Sequence, residues 1–573
     1  MRRVKTIAIM NLTLLALLFI AALALAYFSY GSWVARQFRI DDARKTPAHE
    51  VNDGVDYVPT RPFYLFGQHF SAIAAAGPIA GPILAAQNWG WFPALMWIGF
   101  GVVFIGAVHD FSSLTASVRH GARSIAEITR EHLGTGAGRA MMMFIWIVLI
   151  YVIIAFTQIT AGTFVSASEE LQGVQVQFNA GGAVAAASIF YLALAVVMGV
   201  VQRYVNPPLW LMTAIFVPAA LATSWLGTYV SQYFIMDARM WGLLILAYCC
   251  VASVMPVWAL LQPRGYLGGF ILYLALGLGV IGVLFGGYDI KLPAFRTWDL
   301  GTPTGMLFPF LFVTIACGAC SGFHGLVCSG TTSKQVDRES HCKTVGYGAM
   351  LAEAFVALIA MVTIMIVTAD DVKGLAPGTI YGNGIGKFMT LLIGEQNLAF
   401  AITFGAMAFS TFVFDTLDVG TRLGRYIVQE LFGWQGVMGI IGGTLLTMGL
   451  PFYVIATGGG GTSYINFWTL FGASNQLLAA LTLLSITVWL SNAKQRFGFT
   501  LFPMAFVLVM TLWSLGKLTL VNFRAAKGLD IQFFNGIAAS ALILLALYLA
   551  VKALMKLRIE RGRMMPVSQD AGS

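Results

Sequence analysis

The chain has 573 residues, of which 58% are hydrophobic and only 10% charged, with a formal net charge of +9. Ordinary soluble domains carry about 25% charged residues, so a string of soluble domains is excluded. The positive charge reads as Lys and Arg in loops facing anionic lipid, because no basic face or nucleic-acid-binding module accompanies it.

Windows such as 141–157 and 542–551 are apolar all round, as in a chain whose solvent is lipid. The fold class expected is therefore an all-α polytopic membrane protein with about fifteen transmembrane helices. In chain order the spans fall near 7–30, 69–86, 89–109, 140–165, 180–202, 207–226, 240–261, 266–286, 304–327, 345–368, 397–414, 435–457, 467–490, 499–521 and 533–555. The stretch 7–30 is too long for a signal-peptide core and reads as an uncleaved, peripheral first helix. Residues 34–68 form the largest polar stretch, 119–139 an amphipathic piece at the inner surface, and 384–394 a possible half-helix. Alternate loops, counted with the N-terminus outside, hold 23 Lys and Arg inside against ten outside, which puts the C-terminus inside. The six cysteines lie in or beside apolar spans, and their spacing suggests neither a disulfide framework nor a zinc site.

Three features carry the chemistry. The first is AAAGPIAGPILAAQ (74–87), where Gly77-Pro78 and Gly81-Pro82 fall inside a span. Proline removes an amide and crowds the preceding turn, so the helix is expected to kink or unwind there, with Gln87 at its end. Broken backbone at membrane depth belongs where it lines a cavity. The second is CGACSGFHGLVCSGTTSKQ (317–335), too rich in small and hydroxyl residues to face lipid. It reads as an unwound helix end whose amides and Ser321, Ser329, Thr331 and Thr332 bind an ion or substrate. Its His324 is either a proton carrier or a packing histidine. The third is the set of ionisable groups. Glu353 lies well inside a span, where a carboxylate costs on the order of 3 kcal/mol; it is either a proton relay or a hydrogen-bonded structural acid. Asp110 beside His109, and Asp415 with Asp418, sit at span ends and read as interfacial acids pairing with Arg119 or Arg422; Lys517 is near enough to a span end to snorkel. The run GGGGTSY (458–464) lacks the lysine of a phosphate loop. No cofactor motif, paired metal ligands or motor domain is present, so the expected energy source is an ion gradient.

Several stretches resemble the carbon starvation protein A family: NDGVDYVPT (52–60), FGQHFSAIAAAGPIAGPILAAQ (66–87), GAVHDF (106–111) and RHGARS (119–124). They continue in order with MPVWALLQPRGYL (255–267), FPFLFVTIACGACSGFHGLVCSGTTSKQ (308–335), GYGAMLAEAFVAL (346–358), DVGTRLGRYIVQELFG (418–433) and LFGASNQLLAA (470–480). Departures from the family pattern fall at His109, Gly265, Cys320 and Cys328. The resemblance implies a plasma-membrane secondary transporter for peptides or pyruvate, used in carbon starvation, with proton coupling in the pyruvate-carrying relatives; the residues themselves leave protons and sodium both open as the coupling ion. It also implies the inverted-repeat core of the amino acid–polyamine–organocation transporters, with Gly77–Pro82 opposite Ser321–His324. On that reading 1–573 is one integral membrane domain, 69–490 the transport core, 499–555 the C-terminal helices and 558–573 a disordered cytoplasmic tail.

The expected mechanism is alternating access around a small carboxylate near mid-membrane. Broken-helix amides, Ser321, Thr331, Asn475 and Gln476 would hold the substrate. Lys334 and Arg422 would attract it from inside, and Glu353, His324 or Asp110 would carry the proton. A nutrient sensor or channel, and an intramembrane serine hydrolase built on Ser321 and His324, are the rival readings.

Overall fold

The computed structural model describes residues 11–54, 56–165, 168–169, 178–458 and 464–564. The N-terminal residues before 11, most of GGGGTSY and the tail from 565 lie outside them. The helix Ile531–Met564 runs past the expected start of the tail. Among the described residues the secondary structure is helical apart from a two-stranded antiparallel ribbon pairing Ser168 with Asn179 and Glu169 with Phe178.

Twelve helices among the described residues are long and apolar enough to cross a membrane, among them Leu12–Gln37, Trp91–Arg119, Lys343–Met365, Glu395–Phe432 and Phe467–Asn492. The three remaining stretches of the fifteen expected differ for local reasons. The first, near 69–86, is the second half of a pair, α1 (Pro62–Ile73) and α2 (Gly77–Trp89), bent by 47°. The second, near 240–261, is the 17-residue helix Ala238–Val254, closed where Pro256 cannot continue it. The third, near 304–327, is split into the short helices Leu307–Thr314 and Gly322–Gly330. Thirteen spans result if the bent pair is counted as one.

The expected half-helix near 384–394 belongs to a complete helix, Pro377–Ile393. Its glycines at 378, 382 and 386 recur every fourth residue and form one face, which packs against Phe409, Ala406 and Ile402 of Leu398–Phe432. Glycine lets two helix backbones approach where lipid supplies no hydrophobic drive, and it also dilutes the hydropathy signal.

Burial is deepest along Phe467–Asn492, which is enclosed along its whole most apolar window, and in the helices at 135–163, 343–365 and 395–432. The helices Leu12–Gln37, Leu209–Tyr233 and Ile531–Leu557 are mostly exposed and form the lipid-facing rim. The inner-surface piece is the helix Ile125–Leu133, started by a capping box in which Ser124 and Glu127 satisfy each other's backbone amides.

Candidate functional site

Two interrupted helices meet at the centre of the bundle. In the first, the break falls at Ala74–Ala76, ahead of the Gly-Pro pairs rather than inside them. Pro78 occupies the first turn of α2, where the missing amide costs nothing, and only Pro82 lies within the helix. The second interruption separates α3 (Leu307–Thr314) from α4 (Gly322–Gly330). The breaks are pressed together: a Cβ on Gly81 would lie 2.7 Å from the Thr314 carbonyl oxygen, and one on Gly77 would strike Cys317.

Unwinding frees carbonyls that lipid cannot satisfy, and neighbouring side chains take them up. Gln476 Nε2 donates to Phe312 O at 2.8 Å, Trp468 Nε1 to Thr314 O at 3.0 Å and Trp97 Nε1 to Ile315 O at 3.2 Å. At the start of α4, Asn475 Oδ1 accepts from the Phe323 amide at 2.9 Å, and its Nδ2 donates to Ser321 Oγ at 3.0 Å. Asn475 and Gln476 therefore hold the broken helix from the enclosed helix α6 (Tyr464–Asn492), α5 being Ala349–Met365.

Beside this crossing lies a chain of buried ionisable groups. His109 Nδ1 is 2.7 Å from Asp110 Oδ1, His324 Nδ1 is 2.9 Å from Asp110 Oδ2, and His324 Nε2 is 3.3 Å from Glu353 Oε2. All four side chains are at most 1% exposed. The contact to Glu353 is within ion-pair reach but misaligned for a hydrogen bond, and among the described residues neither Glu353 oxygen has such a partner. Asp110 and Glu353 each follow a π-helical turn, Val102–Gly106 and Lys343–Gly348. The widened turns shift the register of the ladders that carry them. His69 stands next to the chain, 2.8 Å from Thr332 Oγ1 and 3.8 Å from Cys328 Sγ.

The interfacial pairings expected from sequence are corrected. Asp110 is buried among histidines, whereas Arg119 binds Glu339 through Nε and Nη2 at 2.7 and 2.9 Å. Arg44 and the Asp41 amide also reach Glu339, tying the polar stretch after the first helix to the segment that follows Gly322–Gly330. Burial pushes the Glu339 carboxyl up, and the Arg119 and Asp41 hydrogen bonds more than reverse this, so it titrates below its ordinary range. Asp415 and Asp418 pair with Arg264, not Arg422. Arg422 instead donates to Ala252 O and Met255 O, closing the end of Ala238–Val254. Lys517 Nζ turns to Met306 Sδ at 3.2 Å.

The other expected site residues fall in five places. Gly77, Pro78, Gly81, Pro82, Ser321, His324, Asn475 and Gln476 converge at the crossing. Gln87 is at the far end of α2, donating to Val372 O, on the wall of a cavity of about 710 Å³ with Arg296, Lys373 and Trp468. Thr331 and Thr332 line a second cavity of about 130 Å³ with Gln68, His69 and Asp415. Ser329 caps locally, donating to Gly325 O and accepting from the Ile125 amide, and Lys334 pairs with Asp56 at 3.2 Å beside Tyr57. Ser321 and His324 form no dyad: the serine bonds Asn475, and both ring nitrogens of the histidine face carboxylates. Sequence reasoning missed His69 and Arg264. Both lie in the family-like stretches; Arg264 falls between the expected spans 240–261 and 266–286 and so reads as a loop charge, and only the helix Leu261–Phe285 encloses it.

Twelve spans around two interrupted helices, with charge buried between them, define a polytopic helical membrane protein. The family profile described as Carbon starvation protein CstA matches residues 11–383 and 371–514, and the chain belongs to that family. It is 30% identical to the peptide transporter CstA of Bacillus subtilis (strain 168), over 96% of this chain and 97% of that protein. It is 31% identical to the pyruvate/proton symporter BtsT of Escherichia coli (strain K12), over 86% and 79%. With the peptide transporter CstA of the same strain it shares 32% identity, over 85% and 78%. Among solved structures, the Eremococcus coleocola manganese transporter overlaps 88% of this chain and 98% of its own at a TM-score of 0.49 and 12% identity.

Proposed function

We infer that this protein is a multi-pass secondary transporter that takes up pyruvate or short peptides across the inner membrane. The family relatives are peptide transporters and a pyruvate/proton symporter, which supports carriage of a small carbon source. Proton symport is the coupling we assign, and one observation carries it: the His324 ring lies between two buried carboxylates, Asp110 and Glu353. An imidazole so placed can pass a proton to either side, and buried ionisable groups in spans mark proton relays. The amino acid–polyamine–organocation core with inverted repeats is supported by the two breaks facing each other across Gly81 and Thr314. The C-terminus is assigned to the inside by the charge bias of the loops.

Two cavities support alternating access as the mechanism. The larger, lined by Thr314 and Trp468, stops at the broken-helix contact, and the smaller opens beyond it around Thr331 and Thr332. The test is uptake of labelled pyruvate and labelled dipeptides by purified protein in liposomes under an inward proton gradient. Concentrative uptake that an uncoupler abolishes is the expected result. Uptake that only equilibrates would favour a channel, and none at all a sensor.

A further inference from the structure

A second charged cluster lies within the bundle, apart from the histidine chain. Arg264, in the first turn of the helix Leu261–Phe285, has a fully enclosed guanidinium. It binds Asp418 through Nη1 and Asp415 through Nη2 at 2.5 Å. Tyr248 lies 3.2 Å from Nη1 and donates to Asp418 at 2.8 Å. Two carboxylates share one enclosed guanidinium, and among the described residues Arg264 Nε and Asp418 Oδ1 have no hydrogen-bond partner. A cluster kept only for stability gains from complete satisfaction, and apolar replacements of buried ion pairs are often neutral or stabilising. Such an incomplete cluster inside a membrane protein is better explained by use.

The two acids are not equivalent. Asp418 is fully buried and clamped by Tyr248, whereas the Asp415 side chain is 34% exposed and touches only one arm of the guanidinium. Asp415 faces two spaces. One is a water-sized slot of about 10 Å³ at the first helix break, bounded by Ser71, Ala74, Ala75 and Arg264 itself. The other is the 130 Å³ cavity under Thr331 and Thr332.

We propose that Arg264 is the anchor for the substrate's carboxylate and that Asp415 occupies its place until substrate arrives. This rests on the transport reading above and names the group recognised: a carboxylate on a small molecule. The planar guanidinium matches a carboxylate with two parallel hydrogen bonds, which Lys cannot reproduce. When the substrate takes the Nη2 side, Asp415 turns into the cavity, where its partial exposure lets water solvate it. Asp418 and Tyr248 keep the guanidinium aimed throughout. Arg264 borders only the water-sized slot and not the 130 Å³ cavity, so substrate reaches the guanidinium through the place Asp415 leaves, which favours a short monocarboxylate over a peptide.

The experiment compares binding and uptake of pyruvate, and competition by its uncharged amide, in wild type, Asp415→Asn and Arg264→Lys reconstituted in liposomes. Asp415→Asn removes the competing charge and is expected to lower the pyruvate Kd about tenfold. Arg264→Lys is expected to raise it by more than tenfold, and the amide should not compete with pyruvate in wild type. Unchanged pyruvate affinity in a folded Asp415→Asn protein, or effective competition by the amide, would overturn the assignment while wild-type uptake leaves the transport reading standing. If Arg264→Lys does not fold, Asp415→Asn decides alone. Wild type that carries no carboxylate at all would bring down the transport reading instead.

Discussion

Glu353 is the least satisfied acid of the histidine chain, with one oxygen 3.3 Å from His324 and no aligned donor on either. A carboxylate held this way is free to gain or lose a proton without breaking a hydrogen-bond network. Glu353→Gln keeps the volume and removes the proton site, so the variant should retain its thermal midpoint and still exchange labelled for unlabelled substrate. Concentrative, uncoupler-sensitive uptake should be lost. Full accumulation by Glu353→Gln would remove Glu353 from coupling. At this scale the sequence exposed Glu353 and His324 as charges in apolar surroundings but could not show that Asp110 joins them. That pairing needs residues 214 positions apart to meet, and only the packing of separate helices brings them together. For the same reason Arg422 looked like the natural partner of Asp418, four residues earlier in one helix. The structure gives that place to Arg264, 154 positions away.

Elements are where the sequence spoke most clearly, because proline, glycine and small polar residues at membrane depth have few bland explanations. Both interrupted helices were legible as anomalies, although the first breaks ahead of its Gly-Pro pairs. Pro78 is compatible with a first turn, so the strain moves to Ala74–Ala76. What composition could not reveal is the packing that holds an unwound segment at this depth. Gly472, on α6, is one such element contact: a Cβ there would overlap the Val313 carbonyl oxygen. Backbone cannot yield as a side-chain tip does, so Gly472→Ala should cost about 2–3 kcal/mol by overpacking and lower the melting temperature in detergent. Gly277→Ala is the matched control, since nothing lies within 4 Å of its Cβ position. It should be neutral or stabilising by up to about 1 kcal/mol from helix propensity. Equal melting temperatures for the two variants would mean that α6 does not brace the break.

Across the whole molecule the two cavities are unequal, about 710 Å³ around Arg296 and Lys373 against about 130 Å³ around Thr331. Between them stand the pressed breaks, with Gly77 against Cys317 and Gly81 against Thr314. Lys373 lines the larger cavity and Thr331 the smaller, and the charge bias of the loops assigns the first to the outside and the second to the inside. Hydropathy locates apolar stretches, fifteen expected against twelve helices long enough to span among the described residues, but it does not show that the space on one side of the breaks is several times larger than on the other. Part of that asymmetry lies in the loop 369–375, which lines the larger cavity and which no hydropathy window encodes. It makes a definite expectation for accessibility. In intact cells a membrane-impermeant maleimide should label Lys373→Cys quickly and Thr331→Cys hardly at all, with the native cysteines, all buried or half-buried, as the background to subtract. In inverted vesicles the order should reverse. Added substrate should slow labelling at Lys373→Cys and speed it at Thr331→Cys, because closing one side and opening the other are the same motion. Labelling of both positions from one side would overturn the assigned orientation. Labelling that substrate leaves unchanged at both ends would argue for a fixed pore instead of a carrier.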